Sequence, residues 1–237
     1  MTWATLDYPK AQITMRAVTA WEQQMRCRSC GKEPWTVAWI ESIPAGSIFW
    51  DIGANTGAYS LIAGSRGLGT IAFEPGYNNY AAACDNVLAN PSSVKNVTVL
   101  PIALSDATSL VPFGYRNLEA GAASHSFGGI EDQKGKLVAQ LPSMAIRADE
   151  LINAMHLVPP THLKIDVDGA EARVLAGFGQ VLTVLQGIMI EVPNKGEQVE
   201  LIHGMLQAAG LSMVVSHNQR DGHMIQDVHY EEWRRLG

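Results

Sequence analysis

The chain has 237 residues, 47% of them hydrophobic and 17% charged, with a formal net charge of -6. That length supports one sizeable core but not two, and the basic residues are scattered rather than striped, which disfavours a nucleic-acid substrate and favours a small or neutral acceptor. The opening MTWATLDYPK lacks the basic segment and apolar run of a signal peptide, and no apolar stretch approaches the roughly 20 residues that cross a bilayer, so a soluble, cytoplasmic protein without a membrane partner is expected.

Helical spacing over residues 12–25 and 35–42 predicts an N-terminal helical extension covering about residues 1–44. Within it, Cys27 and Cys30 form a lone C-x-x-C. A zinc site needs four ligands, and Cys84 has no partner nearby in sequence. A redox pair should follow a strand and open a helix. The motif therefore reads as a turn with two incidental thiols. Trp35 and Trp39, four apart on a helix, read as core.

ESIPAGSIFWD is a Pro-Gly turn feeding an apolar strand that ends at Asp51. Helix follows from about Gly57 to Ala63, then strand at GTIAFEP, helix across YNNYAAACDNVLAN and strand at NVTVLPIAL. Such alternation means βαβ units and a parallel sheet covered on both faces. Residues about 107–147 break the rhythm with β-leaning, Gly-rich pieces, SLVPFGYR and AGAASHSFGG, which predict an inserted hairpin and loop near the ligand edge. HLKIDVDGAEARVLAGF, QGIMIEVP and GEQVELIHGMLQAAG restore the alternation, and LSMVVSH and HMIQDVHY predict a final hairpin. The fold class is a doubly wound α/β sheet with an antiparallel end, in a main domain over 45–237.

The turn after the first strand, Asp51-x-Gly53-x-x-x-Gly57, is looser than the dinucleotide fingerprint. Asn55 stands where a middle glycine would admit a pyrophosphate. That disfavours NAD and FAD, while Asn still tolerates a left-handed turn. An acidic strand end without a pyrophosphate suits a cationic ligand tail, which makes S-adenosylmethionine the candidate. Glu74, ending the second strand, stands where such folds hold ribose hydroxyls. A dehydrogenase of the same fold and a non-catalytic cofactor-binding module are the rival readings.

DIGANTGAYSL, FEP, PIALSD, LKIDVDGAEARVLAG and IMIEVP, in this order, resemble the FkbM-type methyltransferases. The resemblance runs from about Lys32 to Pro193. It implies the class I methyltransferase fold, a seven-stranded, mostly parallel sheet of Rossmann-like type, and O-methyl transfer to hydroxyls of sugars or sugar-like natural products. By position it implies that Asp51, Gly53, Ala54, Asn55 and Gly57 line the methionine end of S-adenosylmethionine, that Glu74 holds the ribose, and that Ala103 and Leu104, with Ser105 or Asp106 nearby, flank the adenine. Family members often carry Asn at the place of Pro101, and many carry Glu at the place of Asp168.

Methyl transfer from a sulfonium is an in-line displacement, so the protein must hold the acceptor oxygen and manage its proton. Lys164, Asp166 and Asp168 alternate onto one side of the strand at its ligand-binding end. They are the catalytic candidates, with His125 of the insertion as a substrate-side base or an ordinary loop histidine. Asp168-x-x-Glu171 also matches an acidic capping box for the following helix. Asp166, Asp168 and Glu191 could instead hold a divalent cation; the sequence leaves metal and direct base open. His217, His223 and His229 match no metal spacing and read as surface or packing residues.

Overall fold

A computed structural model describes residues 2–128, 136–218, 220–221, 224–225 and 228–236. The chain opens with a short antiparallel pair, β1 (Trp3–Thr5) and β2 (Thr14–Arg16). A five-residue helical turn of wide pitch follows at Glu22–Arg26, then α1 (Ser29–Lys32) and α2 (Pro34–Ser42). The helix expected over 12–25 is thus a strand and a later turn. Ile13, Met15 and Ala17 are buried while Thr14 and Arg16 are not, a two-residue period that fits a strand. Thr19 and Glu22 start the helical turn by a reciprocal capping box: the Glu22 N–H donates to Thr19 Oγ1, and the Thr19 N–H donates to Glu22 Oε2.

The βαβ part runs β3 (Ile48–Ile52), α3 (Ala58–Ser65), β4 (Gly69–Phe73), α4 (Tyr77–Leu88) and β5 (Val97–Leu100). β6 (Ala103–Leu104), β7 (Ser109–Tyr115), β8 (Ser126–Phe127) and β9 (Ala139–Ile146) then build a separate four-stranded sheet in the order β6-β9-β7-β8. Next come α5 (Ala148–Met155), β10 (His162–Ile165), α6 (Glu171–Ala176), β11 (Gly187–Pro193), α7 (Glu197–Ala208) and β12 (Ser212–His217). Two-residue strands β13 (Arg220–Asp221) and β14 (Met224–Ile225) pair with each other, and β15 (Val228–Arg234) ends the chain's regular structure.

The main sheet has seven strands in the order β12-β15-β11-β10-β3-β4-β5. Strands β5, β4, β3, β10 and β11 are parallel neighbours, and β15 runs antiparallel between β11 and β12. The order reverses at β3: β4 and β5 lie on one side, and the chain returns to place β10 on the other. Ligands of doubly wound sheets bind beyond the strand ends at such a reversal.

Alternation along the strands divides the core. Trp50, Ile52, Phe73, Leu163, Ile165, Ile188 and Ile190 pack with α5, α6 and α7 on one face. Phe49, Met189 and Tyr230 pack with α3 and the N-terminal segment on the other. Each such large apolar side chain contributes about 1.5–3 kcal/mol by leaving water. Asp51 and Lys164 sit directly opposite each other in the β3–β10 register, so two charged side chains enter an otherwise apolar face together.

Candidate active site

β3 passes into a tight turn in which the Gly53 and Ala54 N–H groups both donate to the Phe73 carbonyl at 3.0 Å. Gly53 has φ +83°, and a Cβ there would lie 1.9 Å from the Asp166 carbonyl oxygen, so only glycine fits between the ends of β3 and β10. Asn55 takes the left-handed conformation at φ 53°. Its N–H donates to Glu74 Oε2 at 2.8 Å, and the Gly76 N–H donates to Oε1 at 2.7 Å. Burial pushes the Glu74 carboxyl up to about 7, against the pull of these two donors.

A cavity of about 550 Å³ opens beyond this turn, within the usual range for small-molecule sites. One end is bounded by Gly53, Ala54, Asn55, Glu74, Ala103 and Leu104; Lys164, Asp166, Asp168, Glu191, Tyr59 and Tyr230 also line it. Part of its wall is Ala123–His125, and the segment that leads into it, Ala120–Ser124, is tied on several sides. Asn55 Nδ2 and Asn79 Nδ2 donate to the Ala122 carbonyl at 2.8 and 3.1 Å, and Arg26 Nε donates to the Gly121 carbonyl at 2.7 Å. The Ser124 N–H donates to Asp168 Oδ2 at 2.8 Å.

Lys164 is 1% exposed. Its Nζ lies 3.0 Å from Asp166 Oδ2, 3.9 Å from Asp51 Oδ1 and 5.1 Å from the Tyr59 ring centroid. Burial alone would depress the ammonium, but Asp166, Asp51 and Glu33 outweigh it and hold its pKa above the ordinary value. Asp166 also accepts from Tyr230 OH at 3.1 Å. Burial opposes its ionisation, yet the Lys164 and Lys32 charges and these donors keep it below the usual carboxylate value. Asp51, fully buried, accepts from Ser60 Oγ at 2.6 Å, and burial raises its pKa despite Lys164.

The structure brings eleven of the residues picked from the sequence to this cavity: Gly53, Ala54, Asn55, Glu74, Ala103, Leu104, His125, Lys164, Asp166, Asp168 and Glu191. Asp51 lies behind Lys164 rather than in the wall, and Gly57 precedes α3. The wall stops at Leu104. Ser105 is buried and hydrogen-bonded to Asp106, whose carboxylate pairs with Arg173 at 3.0 Å.

The acidic capping box does not form. Asp168 is left-handed (φ 56°) and turns to Ser124, while α6 begins after Ala170 without a side-chain cap. Glu171 accepts instead from the Val167 and Gly169 N–H groups, and burial raises its carboxyl to about 7. His125 packs on Phe113 and Tyr115 with ring centroids 5.4 and 5.3 Å away, its Nδ1 without a partner among the described residues. Burial, with Arg116 and Arg26, lowers its pKa to about 4.

Among the described residues no group of three or more His, Cys, Asp or Glu is placed to hold a metal ion, so Asp166, Asp168 and Glu191 do not form such a set. Cys27 and Cys30 are buried free thiols, and burial pushes Cys27 up to about 11. Trp39 is core, edge-on to Phe49; Trp35 stacks on His217 at 5.6 Å. His229 bonds Asn194 and Glu231, and His223 lies outside the described residues. No described helix is long and apolar enough to cross a membrane.

Sequence reasoning missed Arg26, Lys32, Glu33, Tyr59 and Tyr230 in the cavity wall. Tyr59 follows the glycine turn by two residues and could have been found there. The others come from segments without a motif.

Comparison with known proteins agrees with the geometry. Residues 51–213 match the methyltransferase FkbM domain. A hexuronic acid methyltransferase, AglP of Haloferax volcanii, is 23% identical over 184 residues, covering 77% of this chain and 70% of the relative. The magnesium protoporphyrin IX methyltransferase of Synechocystis PCC 6803, solved with bound SAM, superposes with TM-score 0.56 at 11% identity, covering 93% of this chain and 86% of that one. An FkbM methyltransferase of Methylobacillus flagellatus superposes with TM-score 0.54 at 12% identity, covering 80% and 43%. With the matched segment spanning the glycine turn, Glu74, Asp166 and Glu191, the chain belongs to the FkbM-domain methyltransferases.

Proposed function

We propose that the protein transfers a methyl group from S-adenosylmethionine to a hydroxyl of a sugar or sugar-like small molecule. The observation that carries this reading is a single cavity that joins the glycine turn and Glu74 to the Lys164–Asp166–Tyr230 group. The hexuronic acid named in the Haloferax volcanii relative supports a sugar acceptor, and the scattered basic residues are poorly suited to a polynucleotide.

The residues present fit the donor. Thr56 Oγ1 and His125 Nδ1 are buried in the cavity wall without a partner among the described residues, which is the mark of a site completed by a ligand. Glu74 offers the ribose hydroxyls a buried carboxylate held by two backbone donors, and Ala103 and Leu104 offer the adenine an apolar edge. Gly53, Ala54 and Asn55 face the methionine end, with Asp51 and Gly57 holding that turn from behind. When bound, S-adenosylmethionine supplies an electrophilic methyl group on a positively charged sulfur. Asp166, kept ionised by Lys164, gives that end of the cavity a fixed negative charge. The chain's remaining task is to hold the acceptor oxygen in line and exclude water, and the tethered Ala120–Ser124 segment contributes to both.

Calorimetric titration with S-adenosylhomocysteine and with NADH, followed by transfer of labelled methyl to a panel of hexosides and hexuronides, tests the reading. Binding of S-adenosylhomocysteine with labelled ether product is expected. Binding of NADH alone, or no transfer to any panel member, would overturn it.

A further inference from the structure

We propose that Glu191 is the general base that takes the proton from the acceptor hydroxyl. The proposal rests on the methyl-transfer reading above and adds the residue that the reading leaves unnamed. It follows from what each carboxylate in the cavity wall is already doing. Glu74 is held by Asn55 and Gly76, and Asp168 by Ser124. Asp166 is committed to Lys164 and Tyr230. Glu33 pairs with Lys32 at 3.3 Å and accepts from Thr36. Glu191 also lines the cavity, and among the described residues its carboxylate is in no hydrogen bond or ion pair.

Its position suits the task. Ile165 and Ile190 are the last residues paired between β10 and β11, so Asp166, just past the end of β10, and Glu191, still within β11, come side by side at the sheet's ligand edge. On its other side Glu191 stands opposite Tyr230 of β15. A base between an ionised carboxylate and apolar surroundings gains proton affinity, and Glu191 does: burial first, then Asp166, Glu171, Asp168 and Glu33, raise its carboxyl well above the ordinary value. Asp166 is shifted the other way. Two neighbouring carboxyls with opposite shifts divide the work, one as fixed charge and the other as proton carrier. His125, lowered to about 4, is the weaker base.

The step balances. The acceptor oxygen bonds the methyl carbon as the carbon–sulfur bond breaks, the electron pair of that bond stays on sulfur, and the hydroxyl proton passes to the Glu191 carboxylate. Sulfonium, alcohol and carboxylate become thioether, methyl ether and carboxylic acid.

The test uses the full chain with labelled S-adenosylmethionine, a methyl hexuronide and the matching uncharged methyl hexoside. Glu191→Gln is expected to bind S-adenosylhomocysteine within about twofold of the parent while transfer to hydroxyl falls about 10²–10⁴-fold. The acid limb of the parent's pH–rate profile should be missing from the variant. Glu191→Ala should regain activity with added formate, which a merely structural role would not produce. Transfer by Glu191→Gln within about threefold of the parent overturns the base assignment and leaves the methyl-transfer reading standing. Methyl ester on the hexuronide, made equally by both proteins, overturns the base assignment and the hydroxyl acceptor together, because a carboxylate acceptor carries no proton to remove, and leaves only methyl transfer from S-adenosylmethionine standing. A parent inactive on both compounds defeats the methyl-transfer reading for this class, and the base with it. If Glu191→Gln fails to fold, Glu191→Ala with formate decides between the same outcomes.

Discussion

Replacing Lys164 by Met keeps most of the stem and removes one positive charge from between two buried carboxylates. The Nζ distances of 3.0 and 3.9 Å correspond to Coulomb energies of roughly 5 and 4 kcal/mol at an effective dielectric constant of about 20. Most of this is offset by the cost of burying the charges. The loss that survives on removing one partner of such a group is about 3–5 kcal/mol, or a fall of roughly 6–20 °C in Tm for a chain of this size. The loss must also depend on pH. In the parent, Asp166 titrates below its ordinary 3.8, so it contributes stability above that value and loses it as pH falls through the folded-state value. In Lys164→Met both Asp51 and Asp166 hold protons more tightly folded than unfolded, so the variant is penalised increasingly as pH rises. Urea unfolding at about pH 4 and pH 7 should show a small deficit at the first and the full deficit at the second. A deficit below about 1 kcal/mol at pH 7, or one that does not change with pH, would refute the charge argument.

Gly53→Ala forces a Cβ against the Asp166 carbonyl, and should cost more than about 3 kcal/mol in urea unfolding or prevent soluble expression. Glu74→Gln turns one acceptor oxygen into a donor facing the Asn55 or Gly76 N–H; calorimetry should find S-adenosylhomocysteine affinity at least tenfold weaker. The raised Glu74 pKa means that the parent's contribution from this group is full below its unfolded value of 4.5 and declines as pH rises toward about 7. Asn55→Gly keeps the left-handed turn but removes one of the two side-chain donors to the Ala122 carbonyl, leaving only Asn79, so hydrogen exchange over 120–124 should quicken while global stability changes by less than about 1 kcal/mol. Iodoacetamide at pH 8 should leave Cys27 and Cys30 unmodified in the folded protein and label both in urea, since burial blocks access and suppresses the Cys27 thiolate.

The glycine-turn part of the cavity wall was legible because its signals are local. Gly53, Asn55 and Glu74 lie at strand ends whose place follows from the alternation of apolar runs, and each is read within a few residues. Asp168 was not legible in the same way: its partner, Ser124, is 44 residues away, and its left-handed backbone turns it from the helix that a capping pattern would have it start. The N-terminal segment failed for a related reason. Ile13, Met15 and Ala17 alternate as a strand, but three buried positions are too few to outweigh apolar residues that also recur at helical spacing, and Thr19-x-x-Glu22 is the local signal that marks the true helix start. Arg26, Lys32 and Tyr230 reach the cavity through packing of distant segments, which no spacing in the sequence encodes.

The place of β15 has a practical consequence for anyone shortening this protein. The family match stops at residue 213, yet β15 lies between β11 and β12 in the sheet. Trimming to the family boundary would remove an interior strand, leave β11 with an open row of backbone donors and acceptors, and take away the Tyr230 hydroxyl from Asp166. Such a fragment should aggregate on expression, although it keeps every residue by which the family is recognised.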